Sequence, residues 1–196
     1  MTKDIQREQI GVWSSKDELQ KSLAAGLHGA PELKRDEKLR YLGEFRERVI
    51  RQLTKKQVME PGIYPEIVEA LKDPRTDRLI ICGTIEYDVA DKYRDLADDL
   101  GKKCTVVRDP DMIGDTGLIV VSATAADVED IDVPDRKQKL SQKGVAESII
   151  NAAGEKLCDK CYAKIIAAEP GEVINYQKLS FSDRFWGGRC AACSKK

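Results

Sequence analysis

The sequence predicts a layered α/β domain that carries a small cysteine-rich appendage. Three observations point there. Amphipathic helix-length stretches alternate with short, continuously apolar runs through the first two thirds of the chain, the pattern of a sheet covered by helices. Four of the six cysteines fall in two Cys-x-x-Cys pairs within the last 46 residues. The 196 residues are 41% hydrophobic and 34% charged, enough apolar material for a core under a highly charged surface, which excludes wholesale disorder.

The elements follow in order. Residues 1–22 read as an N-terminal arm, with a helix expected over Asp17–Ala25. From Pro31 to about Lys55 the positions Leu39, Leu42, Val49, Ile50 and Leu53 recur at three- and four-residue spacing, which predicts a long helix. Pro61-Gly62 breaks the chain, and Tyr64–Leu71 reads as a short helix stopped by Pro74. Arg78–Gly83 is apolar after its first residue, as in a strand covered on both faces. Over Asp88–Leu100, Val89, Tyr93, Leu96, Ala97 and Leu100 form one stripe, with Gly101 as the C-cap. Cys104–Arg108 and Leu118–Val121 are two further strands of the buried type, and Cys82 and Cys104 read as small core residues. Asp135 can cap a helix that runs to about Ala153 and ends at Gly154.

Cysteine spacing carries the sharpest chemical signal. Cys158-Asp-Lys-Cys161 and Cys190-Ala-Ala-Cys193 each turn two sulfurs toward one point, and two such knuckles close a tetrahedral four-sulfur shell. The 28 residues between them exceed the common ribbon spacing of about 15–20. A 46-residue tail buries too little surface to fold alone, so a metal is its expected staple. Zinc is the preferred ion and iron the alternative, because rubredoxin holds iron in the same geometry; the glycine that follows each rubredoxin knuckle is replaced here by Tyr162 and Ser194. Disulfides and dithiol redox centres are the competing readings, the former disfavoured in a reducing compartment.

The stretch Leu42-Gly43-Glu44-Phe45-Arg46-Glu47-Arg48-Val49, continued by Leu53-Thr54-Lys55-Lys56-Gln57-Val58, resembles the YueI-like family of uncharacterised bacterial proteins. Leu27-His28-Gly29-Ala30-Pro31-Glu32, Gly83-Thr84-Ile85-Glu86-Tyr87 and Gly117-Leu118-Ile119-Val120-Val121 add to the match. The resemblance implies a compact α/β fold of the chorismate-mutase-like type, the broad fold also used by kink-turn-binding ribosomal proteins. Those readers carry Gly-x-Asn-Glu at the start of their second helix, where this chain has Pro61-Gly62-Ile63-Tyr64-Pro65-Glu66 and no Asn. The resulting division is an arm over 1–22, a YueI-like α/β domain over 23–134, a connecting helix over 135–154 and a four-Cys zinc-ribbon-like unit over 155–196.

Charge is segregated along the chain. Residues 34–56 hold nine bases and four acids, whereas residues 84–135 hold five bases and fourteen acids, although the whole chain nets only −1. Arg46 falls inside the predicted apolar stripe and needs an acceptor, for which Glu86 is the first candidate; with Tyr87 the pair would form a small-ligand pocket at a strand end. Arg48, Arg51 and Lys55 share a polar helical stripe and, with Arg184, Arg189 and Lys195 in the tail, are candidate phosphate contacts. Tyr162, Tyr176, Phe181, Phe185 and Trp186 either build the tail's core or stack on bases.

One His removes sites that need two imidazoles, and no nucleophile–base pair, phosphate-binding glycine loop or open metal site is legible. A non-catalytic binding or adaptor protein with a structural zinc site and a protein or RNA partner is therefore the leading expectation, with a small-molecule enzyme or sensor using Arg46, Glu86 and Tyr87 as the alternative. The longest uncharged stretch, Thr116–Ala126, is about half a membrane span, so no membrane crossing is expected. The start MTKDIQREQ has no apolar leader core, and a cytoplasmic address is expected.

Overall fold

The structure is a computed structural model, and its described residues are 34–194. The arm, the expected Asp17–Ala25 helix, His28 and Lys195 lie outside them.

The first helix, α1 (Arg35–Arg40), stops well short of the expected Pro31–Lys55 helix. Leu42 at φ 50° and Gly43 at φ 93° turn the chain aside, and a 3₁₀ turn at Arg46–Arg48 leads into strand β1 (Val49–Thr54). A bulge explains the difference. β1 pairs antiparallel with β4 (Thr116–Ser122), and the register breaks between Val49 and Arg51. Ile50 and Leu53, three residues apart, consequently reach the same core, a spacing that imitates a helix, while Val49 joins the opposite core.

Helix α2 (Lys55–Met59) begins at once, because Thr54 caps it: the Gln57 amide N–H donates to the Thr54 hydroxyl at 3.3 Å, and the Thr54 amide donates back to the Gln57 side chain at 2.8 Å. Pro65 opens α3 (Pro65–Lys72), followed by β2 (Thr76–Cys82), α4 (Tyr87–Asp99) and β3 (Lys103–Val107). The sheet order is β1-β4-β2-β3, with β4 antiparallel to both neighbours and β2 parallel to β3. Alternation along the two central strands then divides the core. Leu79, Ile81, Leu118 and Val120 meet α2, α3 and α4 through Val58, Tyr64, Ile67, Leu71, Tyr93 and Ala97. Ile80, Cys82, Ile119 and Val121 face the other way, against Leu42 and Ile131. Every residue of β4 is buried, whereas β3 is an edge strand among the described residues and largely exposed, contrary to its apolar look, and Cys104 on it is only half-buried. Gly117 allows β4 to approach β1, since a Cβ there would lie 2.7 Å from the Lys55 Cα.

Beyond the sheet the expected single helix over 135–153 is two, α5 (Arg136–Gln142) and α6 (Glu147–Ile150), separated by Gly144 at φ 76°. Then come β5 (Lys156–Leu157), α7 (Asp159–Ala168), a 3₁₀ turn at Pro170–Asn175, β6 (Gln177–Lys178), α8 (Phe181–Phe185) and α9 (Ala191–Ser194). β5 and β6 are parallel, so helix and turn, rather than a hairpin, fill the space between the knuckles. Leu140, Ile149, Ile150, Leu157, Ile165, Tyr176 and Leu179 form a separate second core with the cysteines at its rim.

A buried polar joint ties the two cores together. The Arg136 guanidinium donates to both Glu172 oxygens, Nε to Oε1 at 2.9 Å and NH2 to Oε2 at 2.6 Å, with both side chains only 2% exposed. Tyr176 Oη accepts from Arg136 at 2.9 Å and donates to the Ile149 carbonyl at 2.9 Å. The Asn175 amide closes a two-way clasp on the Ile63 backbone, accepting from its N–H at 2.7 Å and donating to its carbonyl at 2.8 Å. Gly62 lets the guanidinium lie flat, since a Cβ there would sit 3.0 Å from it. Satisfying each lone pair in this way is what makes a buried ion pair tolerable.

Candidate metal centre

Each knuckle sits at the start of a helix. Cys158 precedes α7 and Cys161 lies in its first turn; Cys190 precedes α9 and Cys193 lies in its first turn. The turns are closed by Tyr162 N–H to the Cys158 carbonyl at 2.9 Å and Cys193 N–H to the Cys190 carbonyl at 3.1 Å. In this arrangement both sulfurs of a pair project to one side and first-turn amides point at them. The four sulfurs lie within 4.8 Å of one another, and Cys161 and Cys193 are 3.6 Å apart. Four sulfurs at ~2.3 Å from a central zinc would have edges of about 3.8 Å, so the cluster is compatible with a metal site.

The electrostatics agree with that use. Although burial opposes it, amide donors from Cys158 and Cys193 bring the Cys190 thiol down to about 6. Burial and the neighbouring thiols push Cys161 up to about 12. The amide donors favour the charged form of one sulfur, and a dication would take the place of the remaining protons. Cys82 and Cys104 stay apart from the cluster, against the sheet. All six cysteines are free thiols.

The other candidate residues are not gathered into a site. Arg46 is half-buried, but its guanidinium donates to the carbonyls of Val128 at 2.8 Å and Glu129 at 2.7 Å, not to a carboxylate. It lines a shallow depression of about 330 Å³ with Lys34, Glu37, Glu47, Asp127 and Val128, and neither Glu86 nor Tyr87 belongs to it. Glu86 stands exposed ahead of α4, and exposed Tyr87 is covered by the Arg94 guanidinium at 4.1 Å. The expected Arg46–Glu86 pair therefore does not form: Arg46 belongs to a 3₁₀ turn instead of an apolar helix face.

The expected phosphate stripe dissolves for the same reason. Arg48 bonds the Ser122 and Ala123 carbonyls and the Glu44 carboxylate, Arg51 bonds the Ile50 and Asp130 carbonyls, and Lys55 reaches the Gly114 carbonyl at 3.3 Å. They occupy a turn, a strand and a helix start in place of one stripe. In the tail Arg184 pairs with Asp159 at 2.6 Å, while Arg189 is exposed without an ion pair among the described residues. Sequence reasoning missed Arg136, Glu172 and Asn175 altogether, because nothing local required their burial.

Among the described residues no helix is long and apolar enough to cross a membrane. Residues 16–132 match the family model described as a protein of unknown function (DUF1694). The chain is 31% identical over 121 residues to the uncharacterized protein YueI of Bacillus subtilis, covering 62% of this chain and 92% of that protein. The crystal structure of that protein superposes with a TM-score of 0.51 at 30% identity, covering 62% of this chain and 94% of the other. The four cysteines lie beyond the family match. With a sheet-and-helix body that matches in sequence and in structure, the chain belongs to the DUF1694 family, the YueI-like proteins of unknown function.

Proposed function

We propose that this is a non-catalytic binding or adaptor protein of the cytoplasm. Its body, over 23–134, is an α/β domain of the chorismate-mutase-like type, and residues 155–196 form a zinc-ribbon-like unit joined through 135–154. One Zn2+ on Cys158, Cys161, Cys190 and Cys193 acts as a staple, and the unit docks a macromolecular partner. The observation that carries this reading is the convergence of four sulfurs, each pair on a helix start, at the rim of the second core. Four protein ligands close the shell of a tetrahedral ion and leave no open position for a substrate, so the metal's contribution is folding energy rather than chemistry. Iron would fit the same donors. An adaptor is favoured over a small-molecule enzyme because Arg46, Glu86 and Tyr87 share no pocket.

Elemental analysis and native mass spectrometry of protein purified without chelator test the reading. One zinc per chain is expected. Metal near zero with all four thiols freely reactive would overturn it, and iron in stoichiometric amount would correct the ion alone.

A further inference from the structure

The tail keeps its largest rings outside its core. Tyr176 is buried and Tyr162 partly so, but Phe181, Phe185 and Trp186 on and after α8 are 86%, 78% and 84% exposed. Covering them would take a large apolar area out of water, so rings left exposed mark a contact surface. Phe185 and Trp186 meet edge to face with centroids 5.9 Å apart, which leaves ring faces open. From Ser180 to Arg189 the chain contains no aliphatic side chain, only rings, hydroxyls, glycines and charges.

The charges around the rings are sorted. Four of the five acids between 155 and 194 are neutralised within the protein: Asp159 by Arg184, Glu169 by Lys143, Glu172 by Arg136 and Asp183 by Lys156. Two of those pairs hold α8 against the start of α7 and against β5. Lys160, Lys164, Lys178 and Arg189 are exposed and have no ion pair among the described residues. Exposed rings on a stretch of chain without aliphatic side chains, near in sequence to cations that no acid pairs, although Lys178 also lies over the Tyr162 ring at 4.8 Å, fit stacked bases and a phosphate backbone better than the mixed apolar face that a protein partner covers.

We infer that the face formed by Phe181, Phe185 and Trp186, flanked in sequence by Lys178 and Arg189, binds single-stranded nucleic acid by base stacking. This rests on the adaptor reading and names its partner. A tetrathiolate zinc is a dianion, and Lys160 and Arg189, adjacent in sequence to Cys161 and Cys190, offset it first. Stacking therefore supplies most of the affinity and phosphate attraction a minor part. With two or three phosphates engaged at ~0.7 each, the logarithmic salt slope is about −1.5 to −2.

The test uses the full zinc-loaded chain in a Trp13→Phe background, which leaves Trp186 as the sole indole. Oligo(U) and oligo(dT) of about 12 nucleotides are titrated at ~50 mM salt, following Trp186 quenching and, with labelled strands, anisotropy. Saturable quenching is expected. Phe181→Ala, Phe185→Ala and Trp186→Ala should each weaken binding about 5- to 100-fold, against a few-fold for Lys178→Ala or Arg189→Ala. These side chains are on the surface, so folding is retained and checked by circular dichroism and zinc content.

No binding of either strand by protein holding one zinc overturns the inference and leaves the metal reading standing. Binding that survives loss of all three rings also overturns it. So does a Trp186 blue shift with anionic phospholipid vesicles, or a purified protein partner that buries Trp186, when the oligonucleotides leave it unchanged. A sample without zinc refutes the metal staple, and the same titration on it still decides the surface.

Discussion

The body and the tail solve the burial problem in opposite ways. In the body, β2 and β4 are covered on both faces, and fully buried Leu79, Ile81, Leu118 and Ile119 have helices or loops against them. Each such side chain contributes ~1.5–3 kcal/mol, so apolar burial is a large part of what holds that half. The tail sheet is two residues by two, and three rings stay in water. Around the second core the tail adds a buried ion pair, an asparagine clasp and, on the proposed reading, a metal held by four sulfurs. The lesson is that a segment with almost no sheet can still be specified when a few strong, directional interactions supplement its core.

The strongest way to break this comparison is to remove the proposed metal. A structural zinc supplies on the order of 10–16 kcal/mol of apparent binding energy. Chelation, or Cys190→Ser, should unfold the tail while the sheet keeps its protection against hydrogen exchange. Protection over residues 156–192 that is unchanged without metal would mean that the tail's own core suffices.

Next in size is the joint. Arg136→Ala leaves Glu172 charged, buried and unpaired, and should cost about 3–5 kcal/mol in urea unfolding. The double change Arg136→Met, Glu172→Leu should recover most of that loss. If the single variant unfolds at the wild-type midpoint, the pair is not what couples the halves. Asn175→Ala removes the clasp on Ile63 and should cost about 1–3 kcal/mol, read as a lowered midpoint and faster exchange of the Ile63 amide. Arg46→Ala, half-exposed and bonded only to carbonyls, should cost about 1 kcal/mol or less.

The smallest effect depends on pH. Burial pushes the Lys92 ammonium down to about 8, where nearby Glu60 does not fully restore it. Below pH 8 both folded and unfolded states are protonated at Lys92, and the folded state bears the desolvation cost. Between pH 8 and about 10.4 the unfolded chain keeps a proton that the folded chain has lost, so this group makes stability rise with pH. Relative to Lys92→Met, the wild type should gain about 1–2 kcal/mol from pH 7 to pH 10, after discounting for partial solvent screening. Burial acts oppositely on the Tyr64 and Tyr93 phenols, which the folded state keeps protonated, so the comparison must be made against the variant and not on the wild type alone. A gap independent of pH would place the Lys92 ammonium in water.

Legibility in the sequence followed the range of the forces involved. The strands at 78–83, 104–108 and 118–121 and the helices at 64–71 and 88–100 were readable because a few consecutive residues fix each apolar pattern. The Cys158, Cys161, Cys190 and Cys193 set was readable because chelation demands a fixed spacing. β1 was not, since a bulge at Ile50 gave a strand the three-residue spacing of a helix. That one error displaced Arg46 onto an apolar stripe and aligned Arg48, Arg51 and Lys55, none of which survives in the fold.

What the sequence by itself determined is therefore local: the apolar runs, the breaks at Pro61-Gly62 and Gly101, the two knuckles, and the family likeness carried by the body. Tertiary structure alone decided which strand pairs with which, that Arg136 and Glu172 would be buried together across 36 positions, that Asn175 would clasp Ile63 from 112 residues away, and that Phe181, Phe185 and Trp186 would be left in water. The physical reason is that pairing and burial depend on which distant segments pack together, and a side chain's pattern along the chain records only its preference for a neighbour, not which neighbour it receives.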